Sequence, residues 1–165
     1  MNRKYAPECG YQNRREYRTA FEEWLATIDA DLFVTLSFAQ NAHLANARQS
    51  FRHWFACLDN YYLGRGWARR GSDERTLAIA VLENITTNLH YHCLMRLPDW
   101  GRTQTVADCS ATLGRFWRRV VRQGTCDVEQ IYDLRGAARY LAKQLVRPGY
   151  RDHYLFASEF HSDKI

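Results

Sequence analysis

The sequence predicts an α+β fold in which helices pack on an antiparallel sheet. Three observations carry that prediction. Stretches of alternating apolar and polar residues, each short enough for a strand, occur at four places, and longer stretches with apolar residues at helical spacing lie between them. Two of the strands follow each other across a short turn, which makes an antiparallel pair. The chain has 165 residues, of which 46% are hydrophobic, enough for one sizeable core and therefore one domain over 1–165.

The elements follow in order. "RREYRTAFEEWLATID" (14–29) places Tyr17, Phe21, Trp24 or Leu25, and Ile28 on one helical stripe. "DLFVTLSFA" (31–39) is a strand. Its even positions Leu32, Val34, Leu36 and Phe38 are large and apolar, and its other face shows Thr35 and Ser37. Asn41 can cap the next helix, whose stripe is Leu44, Phe51, Trp54, Phe55, Leu58 and Tyr62. "GRGWARRGSDER" (64–75) is rich in glycine and arginine and reads as a loop.

"TLAIAVLEN" and "NLHYHCLMRL" are two strands about a turn at "ITTN" (85–88). "RTQTVADCSATLGRFWRRVVRQ" is a helix with Leu113, Phe116, Trp117, Val120 and Val121 inward. "TCDVEQIYD" is a fourth strand, and "RGAARYLAKQLV" is a last helix stopped by Pro148 and Gly149. The tail "YRDHYLFASEFHSDKI" has one apolar patch and no assigned element. Apart from the first helix the order is β-α-β-β-α-β plus a helix. That is a ferredoxin-like or RRM-like arrangement, with an antiparallel sheet and two helices on one face.

Composition narrows the function. The 23 Lys and Arg against 18 Asp and Glu favour a phosphate-bearing partner. Five cysteines without a CxxC spacing argue against a disulfide framework or zinc ribbon, and for a reducing cytoplasm. The opening segment has no apolar core of a secretory signal, and no run reaches membrane-spanning length, so no membrane partner is expected.

The chemistry gathers around two stretches. In "NLHYHCLMRLP" (88–98), alternation puts His90 and His92 on one face and Tyr91 and Cys93 on the other. With a four-residue turn, Asn84 pairs with Leu89 and Glu83 falls opposite His90. Two imidazoles and a carboxylate then converge, which suits a divalent ion. In "ARYLAKQL", Tyr140, Lys143 and Gln144 share one helix surface, and a lysine beside a tyrosine favours the phenolate. The competing reading places Tyr140 in the apolar stripe with Ala137, Leu141 and Leu145.

Taken together, "FVTLSF" (33–38), "LHYHCLMRLP" (89–98) and "YLAK" (140–143) resemble, in order, the three motifs of the HUH endonucleases. These enzymes initiate rolling-circle replication, mobilise plasmids and move some transposons. The resemblance implies that His90 and His92 are metal ligands and Tyr140 the nucleophile, with Lys143 assisting. It implies Glu83 as third ligand, as in replication initiators, or Gln144, as in some transposase relatives. The initiator-type Lys143 and the preference of a hard cation for a carboxylate favour Glu83, and the lack of a second tyrosine near Tyr140 resembles the single-tyrosine class.

Mg²⁺ or Mn²⁺ is the implied ion, and single-stranded DNA with a hairpin the implied substrate. Host helicase and polymerase are implied partners, because no GxxxxGK[ST] loop marks a helicase domain here. The expected DNA contacts are Arg65, Trp67, Arg69 and Arg70, an aromatic among arginines in a Gly-flanked loop. The arginines of "RFWRRVVR" are expected on the opposite layer from the histidines. Two other functions share parts of this pattern: a transposase or mobilisation enzyme with the same chemistry, and a non-catalytic ferredoxin-like RNA-binding module.

Overall fold

A computed structural model describes residues 14–38, 44–84, 88–98, 104–145 and 154–160. In chain order these form α1 (Arg14–Leu25), β1 (Leu32–Ser37), α2 (Leu44–Leu63), a 3₁₀ helix (Gly64–Arg69), β2 (Leu77–Glu83) and β3 (His90–Arg96). α3 (Val106–Val120), β4 (Cys126–Gln130), α4 (Leu134–Leu145), β5 (Tyr154–Phe156) and a second 3₁₀ turn (Ala157–Phe160) follow. The five strands form one antiparallel sheet in the order β4-β1-β3-β2-β5. Its first four strands have the ferredoxin-like order expected from the sequence.

Alternation sorts the two faces. Leu32, Val34 and Leu36 of β1, with Ala80, Leu82, Tyr91, Cys93 and Val128, meet α2 and α3 in the larger core. The buried stripe of α2 contains Phe51, Trp54, Phe55 and Leu58, as its spacing predicts. Trp54 donates from Nε1 to the Leu113 carbonyl at 3.1 Å, so its one polar atom is satisfied inside the core. Thr105 and Asp108 cap α3 reciprocally: each side chain accepts from the other's backbone N–H. α2 ends where Gly64 takes φ +74, a left-handed conformation that glycine adopts without a Cβ clash.

The histidine face, which two helices on one side of the sheet would leave open, is instead partly covered. α1 and α4 pack on it, burying Tyr17, Phe21, Trp24, Leu25, Ala138, Leu141 and Ala142 against Ile79, Val81 and Leu94. The cover reaches the β2–β3–β5 half and leaves the β1–β4 half accessible, where Asp127 and Glu129 are exposed. The reason lies in sequence: β2 and β3 carry aliphatic residues on this face, whereas β1 and β4 carry Thr35, Ser37, Asp127 and Glu129.

Two further differences concern the arginine-rich segment and the tail. Residues 64–69 form a 3₁₀ helix rather than an irregular loop. Tyr154–Phe156 add a fifth strand to the edge of β2, where the alternation of a three-residue patch is too short to announce a strand. The capping role of Asn41, and the stop at Pro148 and Gly149, fall outside the described residues. Among the described residues, no helix is long and apolar enough to cross a membrane.

Candidate metal centre

The β2–β3 ladder closes with Glu83 paired to His90 and Val81 paired to His92, the register that a four-residue turn requires. Asn84, at φ 52, then turns the chain away; asparagine tolerates this left-handed region better than most residues. Glu83 and both histidines therefore share one face at one end of the sheet. Cys93 is buried on the other face, as alternation predicts.

The three side chains meet at their tips. Glu83 Oε2 lies 2.9 Å from His92 Nε2 and 3.3 Å from His90 Nε2, and the two Nε2 atoms are 3.1 Å apart. Donor atoms about 2.1 Å from an octahedral ion stand about 3 Å apart along one face of it, so this spacing suits a small divalent cation. Glu83 and His92 are buried and His90 is nearly so. Together the three could hold a metal ion.

Both outer ring nitrogens are also accounted for. His90 Nδ1 is 2.7 Å from the Asn88 carbonyl, which can only accept, so Nδ1 carries the proton and Nε2 presents a lone pair. His92 Nδ1 is 3.1 Å from Thr35 Oγ1 across the β1–β3 ladder. A hydroxyl both donates and accepts, so Thr35 suits either tautomer of His92. With no cation, His92 Nε2–H donates to Glu83; with one, the proton sits on Nδ1 and Thr35 accepts it. Burial, reinforced by the neighbouring His90, holds the His92 pKa below 6.5, while Glu83 opposes that shift.

α4 brings Tyr140 to this cluster. Its first turn is fixed by Asp133, whose Oδ1 accepts from the Gly136 N–H at 3.0 Å. Its buried face packs on α1 and the sheet. Tyr140 does not join that stripe: it is 44% exposed, its ring stands edge-on to Phe33 and His92, and its hydroxyl is 3.4 Å from His92 Nε2. Lys143 follows three residues later and is exposed. Gln144 belongs to α4, but its side chain lies outside the described residues.

The arginine segment is placed elsewhere. Arg70 pairs with Glu74 at 3.0 Å, just before β2, whereas Glu83 ends that seven-residue strand. At about 3.3 Å per residue, β2 alone puts roughly 20 Å between Leu77 and Glu83, and Arg65, Arg69 and Arg70 precede Leu77 in the chain. Trp67 is half-buried, with the Arg75 guanidinium 4.7 Å above its ring, and Arg75 in turn donates to the buried Asp59 at 2.8 Å. The exposed arginines of α3 lie on the layer away from the histidines, as expected.

Sequence reasoning missed the Asn88 carbonyl and the use of Thr35. A carbonyl leaves no residue-type signal, but Thr35 was visible as a polar position on the histidine side of an apolar strand. It also missed a cleft of about 530 Å³ beside His92 and Tyr140, to which Phe33, Glu129, Ile131 and Tyr132 contribute. Comparison with protein-family models, curated proteins and solved structures finds no match for this chain.

Proposed function

We propose that the chain is an HUH-type enzyme that nicks and rejoins single-stranded DNA through Tyr140, and that it initiates rolling-circle replication of a plasmid or phage. The observation that carries this reading is the Tyr140 hydroxyl, 3.4 Å from His92 Nε2 within a cluster that suits a divalent cation. A tyrosine in the packed stripe of α4 would be structural; this one stands partly exposed at the donor atoms instead.

Glu83, His90 and His92 would hold the ion, Mg²⁺ or Mn²⁺, whose charge would polarise the scissile phosphate. One carboxylate with two imidazoles would leave room at such an ion for phosphate oxygens. Tyr140 supplies the nucleophile: its oxygen bonds to phosphorus, its proton is released, and the bond from phosphorus to the 3′ oxygen breaks. The 3′ oxygen takes up a proton, and the 5′ phosphate stays on the tyrosine. Attack by a 3′-hydroxyl on that ester reverses the step and rejoins a strand without ATP. Lys143, one turn along α4, favours the phenolate by its positive charge. Phe33 braces the Tyr140 ring edge-on, 5.9 Å between centroids.

Arg65, Trp67, Arg69 and Arg70 serve the substrate, in this reading, well away from the scissile bond. A hairpin-bearing strand long enough to reach both regions is the matching substrate. Strand separation and copying fall to host helicase and polymerase in the cytoplasm.

The test is a covalent adduct. Protein with Mn²⁺ and labelled hairpin-bearing single strands should give a band that survives denaturing electrophoresis. The band should disappear with EDTA and with Tyr140→Phe. Cleavage that persists in Tyr140→Phe would remove the tyrosine from the mechanism. DNA binding without an adduct, on strands taken from the flanking DNA, would support the binding module instead.

A further inference from the structure

The uncovered half of the histidine face is acidic, which is unexpected beside a site for a polyanion. Asp127 and Glu129 project from the edge strand β4, and Asp133 follows at the start of α4. Glu129 and Asp133 line the 530 Å³ cleft, whose apolar walls are Phe33, Ile131 and Ala137. Its volume lies within the roughly 300–1,000 Å³ usual for small-ligand sites.

Tyr132 stands at the rim, 89% exposed, with its hydroxyl donating to Gln130 Oε1 at 3.1 Å. The Glu129 carboxylate has no hydrogen-bond or ion-pair partner among the described residues. Asp133 Oδ1 caps α4.

Carboxylates repel a phosphate but accept hydrogen bonds from amino groups. A strand whose phosphate lies at His92 and Tyr140 must therefore turn a base, not its backbone, toward Glu129. We infer that the cleft receives one nucleobase next to the bond that Tyr140 attacks, and that Glu129 selects an amino-bearing base over thymine. This rests on the nicking function proposed above. Cytosine, adenine and guanine each carry an exocyclic amino group that can donate to a carboxylate. Thymine has no exocyclic amino group, and its one edge donor, N3–H, lies between two carbonyl oxygens that face Glu129 unfavourably. Phe33 and Ile131 provide apolar contact for the base plane, and Tyr132 an exposed ring on which it can stack.

The test uses the full chain with Mn²⁺ and a randomised pool of single-stranded DNA. Retained strands are sequenced, and adduct formation is scored separately. The expected result is one position, adjacent to the cleavage point, at which thymine is depleted roughly fivefold or more. Glu129→Gln should abolish that depletion, because an amide can donate to a thymine carbonyl. Tyr132→Ala should weaken retention with every base and leave the depletion in place.

Retention and adduct formation without a thymine-poor position would overturn the inference alone. So would depletion that survives Glu129→Gln. Loss of all retention in Glu129→Gln would also overturn it, since removing a negative charge favours a polyanion. Failure of the wild type both to retain DNA and to form an adduct would instead remove the nicking function, and the base pocket with it.

Discussion

Thr35 Oγ1 sits 3.1 Å from His92 Nδ1, joining the inner strand β1 to the innermost side chain of the cluster. The contact orients the imidazole and lets its proton move between the two ring nitrogens. Thr35→Val keeps the shape and removes the hydroxyl. It should weaken Mn²⁺ binding roughly 10- to 100-fold, the usual cost of losing such a partner to a ligating histidine. Thr35→Ser should restore most of the affinity in calorimetric titration, and equal affinity in all three proteins would rule the role out.

Because the single proton of neutral His92 only moves from Nε2 to Nδ1 when a cation takes its place, Mn²⁺ binding near neutral pH should release no proton from this ring. Titrations in buffers of different ionisation enthalpy will measure any release. Enthalpies that change with the buffer would show that the proton leaves the ring instead of moving to the Thr35 side.

The lowered pKa of His92 sets the sign of the pH dependence without metal. The unfolded histidine titrates near 6.5, and burial keeps the folded one neutral to lower pH. Between those two values the unfolded chain binds more protons, so stability falls as pH drops below 6.5 and levels off below the folded pKa. Thermal melts in EDTA should show this loss in the wild type and a smaller one in His92→Gln. Parallel curves for the two proteins would contradict the assignment.

Asp59 and Arg75 form a buried ion pair, 0% and 3% exposed, and Asp59 Oδ1 also accepts from the Thr76 N–H at 2.9 Å. Arg75→Ala leaves a buried carboxylate without its charged partner and should cost about 3–5 kcal/mol in urea unfolding. Arg70→Ala, which removes an exposed partner of Glu74, should cost about 1 kcal/mol at most. Similar losses in both variants would mean that burial does not decide the difference.

Burial raises the thiol pKa of Cys109 to about 11 and of Cys126 to about 12, and it also raises Cys57 and Cys93. These four cysteines should react slowly with iodoacetamide at pH 8 in the folded protein and fast in guanidinium, as read by mass spectrometry. Rapid native labelling of Cys126 would show that the β4 edge opens.

The sheet was legible because alternation reports both a strand and its faces. With a four-residue turn it places Glu83 opposite His90 and turns Cys93 away, as the structure has them. Tyr140 was ambiguous, since a helical position beside an apolar stripe can be buried or marginal. The packing of α1 against α4 decides that, and it is a long-range contact. Trp67 escaped for a similar reason: its neighbour Arg75 is close in sequence, but what holds Arg75 over the ring is Asp59 on α2. The acidic cleft needed the pairing of β1 with β4, which places Phe33 beside Glu129.

The short β5 also has a consequence for the integrity of the assembled sheet. β2 carries Glu83 at its end, and without a neighbour its outer side would expose a row of unpaired amide and carbonyl groups. Tyr154–Phe156 occupy that rim, so residues beyond the tyrosine helix act as a guard against strand-to-strand self-association. A version cut after Leu145 would keep every residue of the proposed centre and still offer β2 as a template on which a second chain can aggregate.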